Sequence, residues 1–206
     1  MERIVDLATW PRADQFRLFR RYARPHFATT ARVDVTHLMT AMKLAGHSPF
    51  RACIRAVGAG LHAVPELRMR ARGGTVMEHD RVELSITVPL PDGNFRYAYV
   101  PWLDDAAAFD ALCRERIEAA RAGGLNANAG GRDDLAYLSC LPWMDFTALD
   151  NALPGPEDCI PRVSWGRIVE RDGRHAMAVA IQVHHALVDG RQVGQFFAAL
   201  QAALDR

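Results

Sequence analysis

The segment AMAVAIQVHH, residues 176–185, constrains the fold more than any other part of the chain. It is apolar up to His184 except at Gln182, so it predicts a buried strand over Ala176–His184. The turn Arg171-Asp172-Gly173-Arg174 joins it to a second strand-like stretch, Val163–Glu170. Two long strands on either side of a tight turn pair antiparallel. That favours a mixed or antiparallel sheet with helices packed on it over a doubly wound parallel sheet. After His185 the chain turns through Asp189-Gly190 into a closing helix with Val193, Phe196, Phe197, Leu200 and Leu204 on its apolar face.

The remaining elements follow the same two periodicities. Thr9-Trp10-Pro11 opens a short helix with Phe16, Phe19 and Tyr22 as apolar positions, and Phe27–Val35 reads as a strand. Thr36 is the expected N-cap of a helix that stops at Gly46. Ser48-Pro49 places a cap and an N1 proline before a helix with Phe50, Cys53, Ile54, Val57 and Leu61 in one core stripe. Gly73-Gly74 turns a hairpin between Arg68–Arg72 and Thr75–Glu78. Val82, Leu84, Ile86 and Val88 then alternate with polar residues, and Pro91-Asp92-Gly93-Asn94 turns into Phe95–Val100. Asp104 or Asp105 caps a helix running to about Ala122, with Phe109, Leu112, Cys113 and Ile117 inward. Gly123–Asp134 reads as the longest loop, and Leu135–Leu141 as a strand.

Composition excludes several classes. At 206 residues and 50% hydrophobic, the chain fits one domain, 1–206, with a core that needs no metal or disulfide. A net charge of +1 gives no nucleic-acid or membrane-surface signal, and Lys43 as the only lysine reflects a preference for arginine rather than a binding surface. Cys53, Cys113, Cys140 and Cys159 form no CxxC pair and read as small buried hydrophobes. The N-terminus lacks the apolar run of a signal peptide, and no stretch is long enough for a membrane span, so the expectation is a cytoplasmic protein. GxGxxG after a strand and GxxxxGK[ST] are both absent.

The chemistry concentrates at His184-His185. Neighbouring residues on a strand point to opposite faces, so at most one of the two imidazoles faces a given cleft. Three readings are open on the residues alone: a structural pair at a strand end, a metal site, and a general base. A metal site needs three protein ligands, and HHxxxD has no matching cluster elsewhere. A general base needs an imidazole on a rigid element, held in one tautomer by its surroundings.

HHALVDG resembles the HHxxxDG signature of the chloramphenicol acetyltransferase superfamily. WPRADQF and LSCLPW are similar to the W-x-R-x-x-x-F and S-x-x-P-W segments of its chloramphenicol acetyltransferase branch, and the similarity runs from about Trp10 to the last helix. The resemblance implies an α/β (α+β) two-layer sandwich, a large mixed, mainly antiparallel sheet with helices packed on it. It implies an O-acetyltransferase using acetyl-CoA as co-substrate, with no metal, assembled as a homotrimer whose active sites lie between subunits. His185 would be the general base, Ser139 the donor to the oxyanion, and Asp189 the partner of Arg12 in a pair that orients the site, with His184 structural. Trp143, Ser164 and Arg167 would contact acetyl-CoA. Phe19, Phe27, Tyr97, Tyr137 and Arg162 would line the acceptor pocket. Tyr97 and Arg162 replace small or apolar side chains there, which puts chloramphenicol itself in question. A buried Arg162 requires either an acidic substrate group or a neighbouring acid. The same substitutions motivate the alternative of a non-catalytic homologue that binds and sequesters a ligand in that cleft.

Overall fold

The computed structural model describes residues 1–127 and 131–206. Ten strands are present: β1 (Glu2–Val5), β2 (His26–Asp34), β3 (Met69–Arg72), β4 (Thr75–His79), β5 (Glu83–Pro89), β6 (Phe95–Val100), β7 (Leu135–Leu141), β8 (Arg162–Gly166), β9 (Val169–Arg171) and β10 (Arg174–His184). Four α-helices accompany them: α1 (Ala13–Phe19), α2 (Pro49–Ala63), α3 (Ala106–Ala122) and α4 (Gly190–Leu204). The main sheet runs β2-β10-β8-β7-β5-β6, with β9 also paired to β10, and a small sheet runs β1-β4-β3. β7 is parallel to both β5 and β8, while the other pairings in the main sheet are antiparallel. The expected mixed, mainly antiparallel sheet under helices is therefore the architecture found. No helix among the described residues is long and apolar enough to cross a membrane.

β10 is buried from Met177 to His184 because it lies inside the sheet, laddered to β2 from Ala176↔Asp34 to His184↔His26 and to β8 on its other edge. One face of the sheet is apolar. Leu84, Ile86, Leu138, Val163, Val179 and Ile181 form one core with Ile54, Val57 and Leu61 of α2, Phe109 and Cys113 of α3, and Phe196 and Leu200 of α4. Ser48 caps α2 by accepting from Arg51 N–H, and Asp105 caps α3 by accepting from Ala108 N–H. Two glycines let α2 pack this closely. A Cβ on Gly58 would lie 2.5 Å from the Trp102 ring and 2.9 Å from Leu84, and one on Gly60 would lie 2.9 Å from the Phe196 ring.

Several local expectations are corrected. Thr36 does not cap its helix: its Oγ1 accepts from His175 N–H at 2.9 Å, tying the element to β10. The helix itself winds as a π-turn over Leu38–Met42, although Gly46 still ends it with φ +87°. Tyr22 lies beyond α1 and is exposed, and Leu112 is only half-buried. The strand expected over Val163–Glu170 breaks between Gly166 and Val169. There Arg167 N–H donates to Met144 O at 2.7 Å, and Gly166 sits too close to that carbonyl to carry a side chain. β1 had no reading from sequence. The Gly123–Asp134 loop, whose residues 128–130 lie outside the described set, is not the longest connection. That is 142–161, which joins two parallel strands and so must cross back over the sheet, here without a helix.

This long strap is held by β10 and β2. Gln182 donates to Asp150 Oδ1 at 2.5 Å and accepts from Asn151 N–H at 2.8 Å. Arg32 pairs with Asp145, and His26 donates to Asp158 O at 2.6 Å. His184 accepts from Ala186 N–H on Nδ1, so its Nε2 carries the proton and donates to Pro156 O at 3.0 Å. Burial pushes His184 down to about 4. His62 is likewise pushed to about 4 by burial, stacked on Trp102.

Two predictions follow from the packing and these imidazoles. Gly58→Ala should destabilise the fold by about 1–2 kcal/mol in urea denaturation, because overpacking against Trp102 outweighs the ~1 kcal/mol gained in helix propensity. His62 and His184 have folded pKa values below the ordinary 6.5, so the unfolded chain binds protons that the fold refuses. Their stabilisation is complete above pH 6.5 and drains away as pH falls towards 4, by up to about 3 kcal/mol per imidazole. Denaturation midpoints that stay flat between pH 7 and 5 would contradict this.

Candidate active site

His185 follows directly on β10 and is held from several sides. Its backbone N–H donates to Pro25 O at 2.7 Å. Its ring stacks parallel on Phe19, with centroids 3.8 Å apart, and meets Phe27 at 4.8 Å with a tilt of 54°. Nδ1 lies 3.0 Å from Asp189 Oδ1. Asp189 stands at the N-cap of α4, with its own N–H held by Gln192 Oε1 at 3.1 Å. Arg12, only 9% exposed, reaches it from the first residues before α1. The guanidinium donates to both carboxylate oxygens of Asp189 and, at 3.2 Å, to the His185 carbonyl. This pairing with Arg12 holds the Asp189 carboxyl below its ordinary range. The His185 side chain remains 35% exposed.

Ser139 lies elsewhere, on the face of the sheet away from α2, α3 and α4. Strand register sets two polar rows across that face, because in-register partners point the same way. One row is Tyr99, Ser85, Tyr137, Arg162 and Gln182. The next holds Tyr97 paired with Thr87 and Ser139 paired with Ser164, and the Thr87 hydroxyl approaches Ser139 Oγ at 3.5 Å. All of these side chains but Gln182 floor a cleft of 470 Å³, walled on one side by Asn151, Pro154 and Asp158 of the strap. Ser164 is 1% exposed. Arg162 settles the choice that its sequence left open. Its partner is the neighbouring acid Asp158, at 2.8 and 3.3 Å, and its guanidinium lies over the Tyr137 ring at 5.1 Å.

Trp143 and Arg167 stand together just beyond the ends of β7 and β8, joined through the Arg167 N–H to Met144 O hydrogen bond. The Trp143 side chain is 69% exposed and Arg167 is exposed. The expected residues thus fall into three groups: Arg12, Phe19, Phe27 and Asp189 around His185; Tyr97, Tyr137, Ser139, Arg162 and Ser164 in the cleft; and Trp143 with Arg167 at the strand ends. Within one chain the first two groups do not meet. His185 lies five residues beyond Ala180, which is in register with Ser164 and through it with Ser139, a separation of roughly 19 Å. The sequence reading missed Ser85, Thr87, Tyr99, Asn151 and Asp158. The first three were visible as the polar positions of alternating strands; the last two sit on the strap, which has no periodicity. No group of three metal-ligating side chains occurs among the described residues.

Comparison with known proteins identifies the family. The family model described as chloramphenicol acetyltransferase matches residues 2–201. A chloramphenicol acetyltransferase 2 of Escherichia coli is 26% identical over 98% of this chain and 96% of its own length. One from Streptomyces acrimycini is 28% identical over 97% and 93%. A solved chloramphenicol acetyltransferase structure superposes with a TM-score of 0.91 at 25% identity, covering 99% of this chain and 100% of its own. The truncated catalytic core of a 2-oxoacid dehydrogenase complex from Thermoplasma acidophilum shares the fold, with a TM-score of 0.70 at 18% identity over 93% and 92%. The clamped histidine, the mixed sheet and these matches over nearly the full length agree: the chain belongs to the chloramphenicol acetyltransferase family of acyltransferases.

Proposed function

We propose that this chain is an acetyl-CoA-dependent O-acetyltransferase acting on a small hydroxyl compound, a single domain that works as a homotrimer with its active sites between subunits. The observation that carries this reading is the separation, within one chain, of a clamped imidazole from a hydroxyl-lined cleft. Each is half of a site, and each is completed when the His185 end of one copy faces the Ser139 cleft of the next. A head-to-tail contact of this kind closes into a three-membered ring when successive copies are related by a third of a turn.

In that site His185 removes the proton of the acceptor hydroxyl at Nε2, since Nδ1 faces Asp189. The acceptor oxygen bonds to the thioester carbonyl carbon, and the carbonyl electron pair moves onto oxygen, where the Ser139 hydroxyl donates. As the C–S bond breaks, the imidazolium returns its proton to the departing thiolate. Arg12 and Asp189 act through His185, fixing its orientation and tautomer. The exposed Trp143 indole and the Arg167 cation suit the apolar arm and the phosphates of coenzyme A, and Ser164 borders the reacting centre. Phe19 and Phe27 supply the apolar wall that holds the imidazole in place.

Thiol release from acetyl-CoA in the presence of a suitable alcohol tests the reading. His185→Gln should lower kcat by ~10²–10⁴, and Ser139→Ala by ~10²–10³. Light scattering should give an unchanged trimer for both. Co-refolding the two dead variants in equal amounts should restore about a quarter of the wild-type rate, because one interface in four then carries both native residues. Recovery no greater than the sum of the separate variants would rule out a shared site. Asp189→Ala strands the Arg12 charge. For a fully buried pair that loss is ~3–5 kcal/mol; with Asp189 about a third exposed, about 2 kcal/mol is expected, read as a lower denaturation midpoint.

A further inference from the structure

We propose that the cleft selects a neutral, polyhydroxylated acceptor, a sugar-like or cyclitol-like alcohol, in preference to an aryl alcohol. The inference rests on the acyl-transfer reading and concerns only what the cleft takes.

Its first support is the floor. Across four adjacent strands, each side chain directed into the cleft from the two in-register rows carries a hydroxyl or a charge: Tyr97, Tyr99, Ser85, Thr87, Tyr137, Ser139, Arg162 and Ser164. An apolar ring lying on this surface would strip water from all of them and replace none of the lost hydrogen bonds. A site built to hydrogen-bond hydroxyls rejects analogues lacking them by factors of roughly 10⁴–10⁵.

The second support is unfilled hydrogen-bonding capacity. Asn151 Nδ2 is buried and has no well-aligned partner among the described residues, while Ser85 Oγ is buried beside the Tyr99 hydroxyl and keeps spare hydrogen-bonding capacity. Both residues line the cleft, one from the floor and one from the strap. Buried polar atoms are normally paired, so Asn151 Nδ2 marks a place where a ligand's hydroxyl oxygen would accept, and the Ser85 hydroxyl can take up a second partner opposite it.

Charge supplies the third. Among the described residues, Arg162 and Asp158 are the only ionised side chains lining the cleft, and they neutralise each other in a two-pronged pair. An anionic acceptor would have to displace Asp158 from Arg162, and a cationic one the reverse. A neutral polyol disturbs neither and can still accept from the guanidinium or donate to the carboxylate. The cleft's 470 Å³ suits a compound of one or two rings.

The test compares thiol release with methyl glycosides and inositols against chloramphenicol and benzyl alcohol. A polyol should show the highest kcat/KM. Ser85→Ala and Tyr97→Phe should each lower the polyol-to-aryl ratio of kcat/KM tenfold or more, through KM rather than kcat. A wild-type preference for aryl alcohols, or an unchanged ratio in both variants, overturns the inference. If no compound in either panel releases thiol, the acyl-transfer reading fails, and calorimetric titration of the same compounds then judges the cleft alone. Polyol binding that Ser85→Ala weakens tenfold sustains the inference, and absence of polyol binding ends it.

Discussion

The ion pair between Arg12 and Asp189 joins the two ends of the chain, and the position of His185 depends on it. Arg12 precedes α1, Asp189 begins α4, and the guanidinium also holds the His185 carbonyl. One buried cation therefore fixes three things together: the docking of α1, the start of α4, and the turn that leaves the imidazole between them. Phe19 reaches the ring from α1, which is anchored by Arg12 and by Phe16 buried in the core. A pair of this kind contributes little net stability against a well-packed apolar substitute, yet losing one half leaves an uncompensated buried charge. Its value is geometric. It gives a ring on a turn the rigidity of a ring on a strand.

The sheet offers two unlike faces. Alternation along β5, β7 and β8 sends Leu84, Ile86, Leu138, Val163 and Trp165 into the helical layer, and sends Ser85, Thr87, Ser139, Arg162 and Ser164 to the other side. A slip of one residue in any of these strands would exchange the two sets and bury hydroxyls under the helices, so the core enforces the register that assembles the cleft. Packing on one face thus determines which polar groups stand side by side on the other. The strap over 142–161 depends on the same sheet. With no ladder of its own, it borrows Gln182, His184 and His26 to satisfy its backbone.

Legibility in the sequence followed periodicity. β10, the Asp172-Gly173 turn, the Gly73-Gly74 hairpin and the caps at Ser48 and Asp105 could be read directly, because each rests on local chemistry that the fold leaves in place. The break after Gly166 could not, since it is caused by Met144 O arriving from the strap. Thr36 carried a capping signal that a tertiary partner, His175, took over. At the site, His185, Asp189 and Arg12 could be named from a motif. Asp158 as partner of Arg162 could not, because both lie where a strap without periodicity meets a strand. The pattern of polar residues on β5 and β6 was visible, but its meaning required knowing which strands are neighbours.

On the proposed reading, the two half-sites make opposite demands on their surroundings. An imidazole meant to act as a base works best against apolar walls that exclude water and fix its orientation, as Phe19 and Phe27 do. A surface meant to hold hydroxyls needs closely spaced donors and acceptors, which a sheet provides when alternate residues on adjacent strands are polar. In the proposed trimer the two environments form separately within each chain, and a second copy brings them together. In the proposed trimer, assembly is then part of the chemistry: a lone subunit would bind its acceptor beside Ser139 with no base within reach.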